Sequence, residues 1–434
     1  RVNQLFHNAM WGQFDNFLDV PTDCPQRDER LGWTGDAAII SATACKNLYM
    51  PAFFHHFIHN VKMEQNYYGG SVPFFVPAPK TPDEQDAFWL SGNPEGCAIW
   101  SDVATMMPWA VYENYGDLTL LREEYPVMKN WVEHIRKDDE ADGGRGLWLR
   151  GRQLGDWLAL DREDGDTQNP FGATDLAYTA TAFYYYSSQL TAKAAKALGY
   201  AEDQREYEGL CDKIKATFLE EYFTPDGSLK IPVTQTACVL SLFFGLYPEG
   251  KRDAVLSQLK ERIEARNMHL DTGFCGTPFL CRALSDNGAN DLAYTLFLND
   301  DLPSWLYEVK MGATTVWERW NSILPDGSIS GTGMNSLNHY AYGSIVDWMY
   351  RNLCGLNPVE EAPGYKKAII RPMPDQRIPW AKLRLDTASG EYRVEWRWQD
   401  GELHGCVTVP FDCQAALFLP DGNEHTLLPG TFVF

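Results

Sequence analysis

Nowhere in the 434 residues do about 18 apolar side chains follow one another, so no segment reads as a membrane-spanning helix. Basic runs are missing as well: 37 Lys and Arg face 59 Asp and Glu, a formal net charge of −22. Phosphate neutralisation needs clustered cations, and this balance argues against a nucleic-acid partner. The ten cysteines stand singly, with no CxxC pair, and no Cys/His spacing suggests structural zinc. A chain of this length does not depend on disulfides for a core, so the expectation is free thiols in a reducing compartment, the cytoplasm. The sequence opens Arg-Val-Asn, inside an apparent helix and with no charged-then-apolar leader. The expectation is that a signal peptide is absent or removed and that upstream sequence is missing. No segment recurs at a fixed period, which weakens the case for an open solenoid.

What is present is a globular composition, 44% hydrophobic and 22% charged, with an aromatic share of 13% that includes 15 Trp. Most of the chain reads helical. Between residues 174 and 198, Leu176, Ala180, Phe183, Leu190, Ala194 and Ala197 recur at helical steps, and Gly199 sits at a C-cap. A partner follows over 202–223, and comparable stretches lie near 1–18, 34–60, 97–115, 118–138, 233–246, 251–265, 276–298 and 336–353. Antiparallel-looking pairs joined by Gly-, Pro- and Asp-rich loops suggest helical hairpins. After Asn357 five prolines break any helix, and residues 391–398 alternate polar and apolar as a half-buried strand does. Asp400-Gly401 and Asp421-Gly422 mark turns. The expected architecture is a mainly α body over 1–356 and a small C-terminal β-sandwich domain over 357–434.

Two segments hold carboxylates, glycines and aromatics where a core would not need them. Over residues 20–36, Asp23, Asp28, Glu29 and Asp36 are interleaved with Arg27 and Arg30. Crowded like charges raise one carboxyl pKa and neighbouring arginines lower it, so such a cluster can keep one acid protonated while others stay ionised. A solvated loop of surface ion pairs reads the same way. In the second segment, residues 312–320, Glu318 stands between Trp317 and Trp320 with Arg319 beside it. Indole faces and a carboxylate suit a sugar ring, and a Trp-rich core turn with Glu318 facing water suits the sequence too. Trp89, Trp100-Ser-Asp102, Asp156-Trp157 and His339-Tyr340 are weaker pairings of the same kind.

These residues are recognisable. Asp23-Cys-Pro-Gln-Arg-Asp-Glu-Arg-Leu-Gly-Trp-Thr-Gly-Asp36 resembles the signature of the bacterial α-L-rhamnosidases of glycoside hydrolase family 78. Gly312-Ala-Thr-Thr-Val-Trp-Glu-Arg-Trp320 and His339-Tyr-Ala-Tyr-Gly343 resemble two further motifs of that family, as do Gly273-Phe-Cys-Gly-Thr-Pro278 and Ser304-Trp-Leu-Tyr307. The resemblance covers essentially the whole chain. It implies an (α/α)6 barrel of six helical hairpins followed by a β-sandwich, and hydrolysis of terminal α-L-rhamnosyl residues from rhamnosides with inversion. It places the general acid on Glu29 and the general base on Glu318. Asp23, Arg27, Trp33, Asp36 and His339 match positions lining the rhamnose pocket, and Trp89, Asp156, Trp157 and Trp317 are taken with them. No metal or other cofactor is implied. Contacts to the leaving group are expected from residues 138–152 and 162–169, and the oligomeric state is left open. The rival readings are another glycosidase or a lyase on the same barrel, or a carbohydrate-binding relative without turnover.

Overall fold

Two kinds of helix alternate along the chain, and burial tells them apart. The computed structural model describes residues 1–78, 95–331 and 333–434. Within these, α1 (Val2–Asn16), α3 (Pro51–Tyr67), α5 (Leu118–Ala141), α7 (Ala201–Tyr222), α9 (Arg252–Ala265) and α11 (Asn290–Leu298) form an outer layer. Their sequences are amphipathic: α7 buries one stripe, Tyr207, Leu210, Cys211, Ile214, Phe218 and Tyr222, and turns the rest to water. The even-numbered α2 (Thr34–Asn47), α4 (Val103–Tyr115), α6 (Leu176–Leu198), α8 (Gln235–Phe244) and α10 (Thr277–Asp286) are apolar or small on nearly every side. A helix without a polar face has to be surrounded. So α2 packs on α4, α4 on α6, α6 on α8 and α8 on α10, and the helical segment 341–353 packs on both α10 and α2.

That last contact closes the inner ring of an (α/α)6 barrel. At its seam Thr43 Oγ1 donates to the Ser344 carbonyl at 3.2 Å, and Lys46 Nζ to Asp347 Oδ1 at 2.8 Å. The short helix α12 (Trp305–Lys310) packs on α1 and α11 outside the ring. The single apolar stripe expected on residues 174–198 understates α6, which also buries Tyr178, Thr181, Tyr184 and Ser188 because it stands inside the ring.

Two expected helices are each two. Residues 34–60 break at Leu48-Tyr-Met50, and Pro51, well suited to the first helical position, opens α3. Residues 276–298 break at Asn287-Gly-Ala289, where Gly288 turns the chain at φ +85°.

Connections running from an inner helix to the next outer one are short: 48–50, 116–117, 199–200, 245–251 and 287–289. Those running inward are long, among them 17–33, 142–175, 223–234, 266–276 and 311–340. Each of these five connections therefore ends at the N-terminus of an inner helical segment, on one side of the barrel.

The β region has strands β1 (Leu356–Pro358), β2 (Lys367–Ile370), β3 (Trp380–Thr387), β4 (Gly390–Gln399), β5 (Glu402–Val409), β6 (Gln414–Phe418), β7 (Glu424–Leu427) and β8 (Gly430–Val433). They form two four-stranded sheets ordered β1-β2-β6-β7 and β3-β4-β5-β8. Leu383, Leu385, Tyr392, Val394, Trp396 and Val407 fill the inner face of the second sheet by strict alternation. Asp400 and Gly401 both take positive φ in the two-residue turn that sets Gln399 opposite Glu402. Trp396 Nε1 donates to the Leu353 carbonyl at 3.1 Å, Tyr294 Oη to Met373 O at 2.9 Å, and Gly364 N to Glu113 O at 2.9 Å, fastening the sheets to the barrel. All ten cysteines are free thiols and nine are buried. Among the described residues no helix is long and apolar enough to cross a membrane.

Candidate active site

The long connections enclose a cavity of about 710 Å³. Its walls come from four of them: Asp23, Arg27, Glu29 and Trp33 from 17–33, Trp157 and Gln168 from 142–175, Phe274 from 266–276, and Glu318, Arg319 and His339 from 311–340. Asp36, in the first turn of α2, and Trp100, just ahead of α4, complete it.

The first motif is a loop tied shut by its own aspartate. Asp23 exchanges backbone with Leu31, donating its N–H to the Leu31 carbonyl at 3.0 Å, and its Oδ1 accepts the Leu31 N–H at 3.1 Å. The enclosed turn carries Arg27 and Glu29. Gly35 lets α2 begin against the indole of Trp100, since a Cβ there would stand 2.7 Å from the ring. The second and third motifs clasp each other: Glu318 N donates to Ser336 O at 2.9 Å and His339 N to Val316 O at 2.8 Å. Residues 21 positions apart are thereby fixed side by side.

Arg27 joins the motifs. Its Nη1 and Nη2 hold Glu318 end-on, at 2.6 and 3.1 Å, and its Nε donates to Glu29 Oε2 at 2.6 Å. Nη2 also lies 3.3 Å from Asp23 Oδ2. One guanidinium thus stands between the two glutamates and keeps them on separate edges. Their surroundings differ: the Glu29 side chain is 26% exposed, that of Glu318 3%. Beneath them His339 Nε2 lies 3.1 Å from Asp36 Oδ1, both buried. Burial, then the neighbouring Glu29, pushes the Asp23 carboxyl up to about 7. Burial holds Asp36 well above the usual carboxylate range and lowers His339 to about 4. The sequence expects crowding by Asp23, Asp28 and Asp36 to keep Glu29 protonated. The carboxyls held up here are Asp23 and Asp36, with burial the larger cause at both, and the lowered pKa of His339 favours its neutral form.

Aromatic faces line the rest. Trp33 packs against Phe74 and Phe75, and Trp100 stacks on Phe274 with centroids 5.9 Å apart. Trp157 meets Phe171 edge to face. Asp23, Cys24 and Glu29 offer donor atoms within 4.8 Å of one another, the one such group among the described residues. Arg27 already occupies both carboxylates, and burial pushes the Cys24 thiol up, so these residues fit a guanidinium better than a metal ion.

Two expected pocket residues stand elsewhere. Asp156 is fully buried, its carboxylate accepting from Thr236 Oγ1 at 2.5 Å and from the N–H groups of Gly273, Cys275 and Gly276 at 2.9, 2.7 and 3.1 Å. It ties its own connection to 266–276 and to the first turn of α8 behind the cavity, and leaves the wall to Trp157. Trp317 points away from Glu318 into a small cluster with Tyr307 and Ala313. Asp102, too, is internal, accepting from Ile99 N, Trp131 Nε1 and Ser187 Oγ. Trp89 lies outside the described residues. Sequence reasoning missed Phe274 as a wall, although it sits inside the 273–278 motif, and Met334, which no local signal marks.

A family model for the bacterial α-L-rhamnosidase six-hairpin glycosidase domain matches residues 1–353, and one for the bacterial α-L-rhamnosidase C-terminal domain matches 355–429. An α-L-rhamnosidase of Formosa agariphila is 37% identical over 428 residues, 98% of this chain and 44% of that protein. The crystal structure of an Aspergillus terreus α-L-rhamnosidase superposes with a TM-score of 0.91 at 31% identity, covering 100% of this chain and 49% of that one. The Streptomyces avermitilis α-L-rhamnosidase complexed with L-rhamnose gives 0.88 at 34% identity, covering 100% and 41%. The chain spans less than half the length of each of these relatives.

Proposed function

Because the chain belongs to the bacterial α-L-rhamnosidase family, we propose that it hydrolyses terminal α-L-rhamnosyl residues from rhamnosides with inversion at the anomeric carbon, Glu29 acting as general acid and Glu318 as general base. The observation that carries this reading is the pair of glutamates on one guanidinium at the mouth of an aromatic-walled cavity. An inverting pair needs room for water, roughly 6.5–9.5 Å between carboxyls against about 5–5.5 Å in a retaining pair. The greater exposure of Glu29 suits the group that meets the leaving oxygen and reloads its proton from solvent. The buried Glu318 suits the one that draws a proton from an enclosed water. Asp36 and His339 would hold ring hydroxyls, and the indoles of Trp33, Trp100 and Trp157 would pack on the C–H surface and the C6 methyl. We propose a cytoplasmic location as well, a reading that ten unpaired thiols support.

Glu29→Gln and Glu318→Gln are each expected to lower kcat on p-nitrophenyl α-L-rhamnoside by about 10²–10⁴-fold. Either variant keeping more than about a tenth of the activity would overturn its assigned role. Early-time NMR should show β-L-rhamnose released first; α-L-rhamnose as first product rules out inversion.

A further inference from the structure

Arg319 is the second guanidinium of the cavity, and its surroundings are unlike those of Arg27. Arg27 touches three carboxylates. Arg319, 3% exposed, has no carboxylate within ion-pair distance among the described residues. Its Nη2 makes only two long bonds, to the carbonyls of Thr167 at 3.3 Å and Gln168 at 3.4 Å. Burial lowers its pKa, the response of a cation lacking a counter-ion, and the one carboxylate that pulls the other way, Glu318, is already held end-on by Arg27. A buried, under-compensated charge is costly to keep, and two long bonds to neutral carbonyls do little to offset it.

Position adds to the case. Gln168 and Pro170, from the connection that Arg319 touches, line the same cavity. Through Thr167 and Gln168 the Arg319 guanidinium stands against the 162–169 loop expected to meet the leaving group. The other charged groups there are the carboxylates of Asp23, Asp28, Glu29, Asp36 and Glu318, with Arg27 among them. An anionic substrate is repelled by such a wall unless a cation faces it.

We propose that Arg319 recognises a carboxylate on the leaving sugar, so that the preferred substrates are rhamnosides in which rhamnose is linked to a uronic acid. This rests on the rhamnosidase reading above. Planar guanidinium donors match the two oxygens of a carboxylate, and a sulfate ester offers the same chemistry. The test compares kcat/KM for methyl 4-O-α-L-rhamnosyl-β-D-glucuronide, the corresponding glucoside, and the 6-O-sulfated glucoside. The glucuronide is expected to be preferred over the glucoside by about tenfold or more, a preference that Arg319→Gln brings near one and Arg319→Lys keeps in part. Equal rates on glucuronide and glucoside, or a preference surviving Arg319→Gln, overturn the proposal. A preference for the sulfated glucoside over both overturns its assignment to a uronate. Failure of the wild-type protein on every α-L-rhamnoside, p-nitrophenyl included, defeats the rhamnosidase reading instead. Where Arg319→Gln does not fold, competition in the wild-type enzyme decides: D-glucuronate inhibits p-nitrophenyl rhamnoside hydrolysis at concentrations where D-glucose does not, and equal inhibition overturns the proposal.

Discussion

At the scale of single residues, a carboxylate's role depends on which donors reach it. Asp156 and Asp23 are both buried aspartates in conspicuous motifs, yet Asp156 meets four internal donors and Asp23 faces the cavity. Asp156→Ala leaves three backbone N–H groups and one hydroxyl without an acceptor, and is expected to cost about 2–4 kcal/mol of stability. Denaturant unfolding would show this as a lowered midpoint; an unchanged midpoint would mean water replaces the carboxylate. The sequence shows why Asp156 was misplaced. Its neighbour Trp157 does line the wall, and adjacency in a chain says nothing about which of two consecutive side chains turns inward. Trp317 and Glu318 repeat the lesson with the roles exchanged. Asp23, Arg27, Glu29, Trp33 and Asp36 were legible together because the loop that carries them is closed on itself within a few residues.

At the scale of elements, the site depends on how closely an inner helix approaches its neighbour. Gly35→Ala places a methyl against the Trp100 indole, and the ring is itself a cavity wall. Overpacking of this kind costs about 1–3 kcal/mol. Here it should also raise KM for p-nitrophenyl α-L-rhamnoside, because Trp100 must move. A variant that loses stability with KM unchanged would show that the indole yields away from the sugar. Helical periodicity located nearly every helix but not the breaks at 48–50 and 287–289, since Leu-Tyr-Met and Asn-Gly-Ala interrupt the apolar rhythm for only one turn. The β strands were legible because alternation and Asp-Gly turns are local signals. That β2 pairs with β6 in parallel was not, because the partner lies 47 residues away.

At the scale of the whole molecule, buried carboxyls set the response to pH. Burial raises Asp23, Asp271 and Glu124 to about 7, and Asp102 and Asp156 to about 6, from ordinary values of 3.8 for Asp and 4.5 for Glu. Between those limits the folded chain holds more protons than the unfolded one, so stability from these groups is present at low pH and is lost as pH rises through 6 to 7. His339 acts in the opposite sense: lowered from 6.5 to about 4, it withdraws stability as pH falls across that interval. Five groups outweigh one, and acidification also relieves the net charge of −22. Calorimetry should find a higher Tm at pH 5.5 than at pH 8, with the difference reduced in Asp23→Asn. A Tm that falls steadily from pH 8 to 5.5 would contradict this balance.

The seam between Lys46 and Asp347 has a consequence for synthesis. A ribosome delivers the chain from its N-terminus at about 5–20 residues per second, so α2 waits roughly 15–60 s for the segment, 301 positions later, that seals the ring. During that interval a helix that buries twelve of its fourteen residues in the finished barrel has one flank uncovered. Nascent chains stalled before residue 341 should therefore recruit chaperones that the finished protein no longer binds.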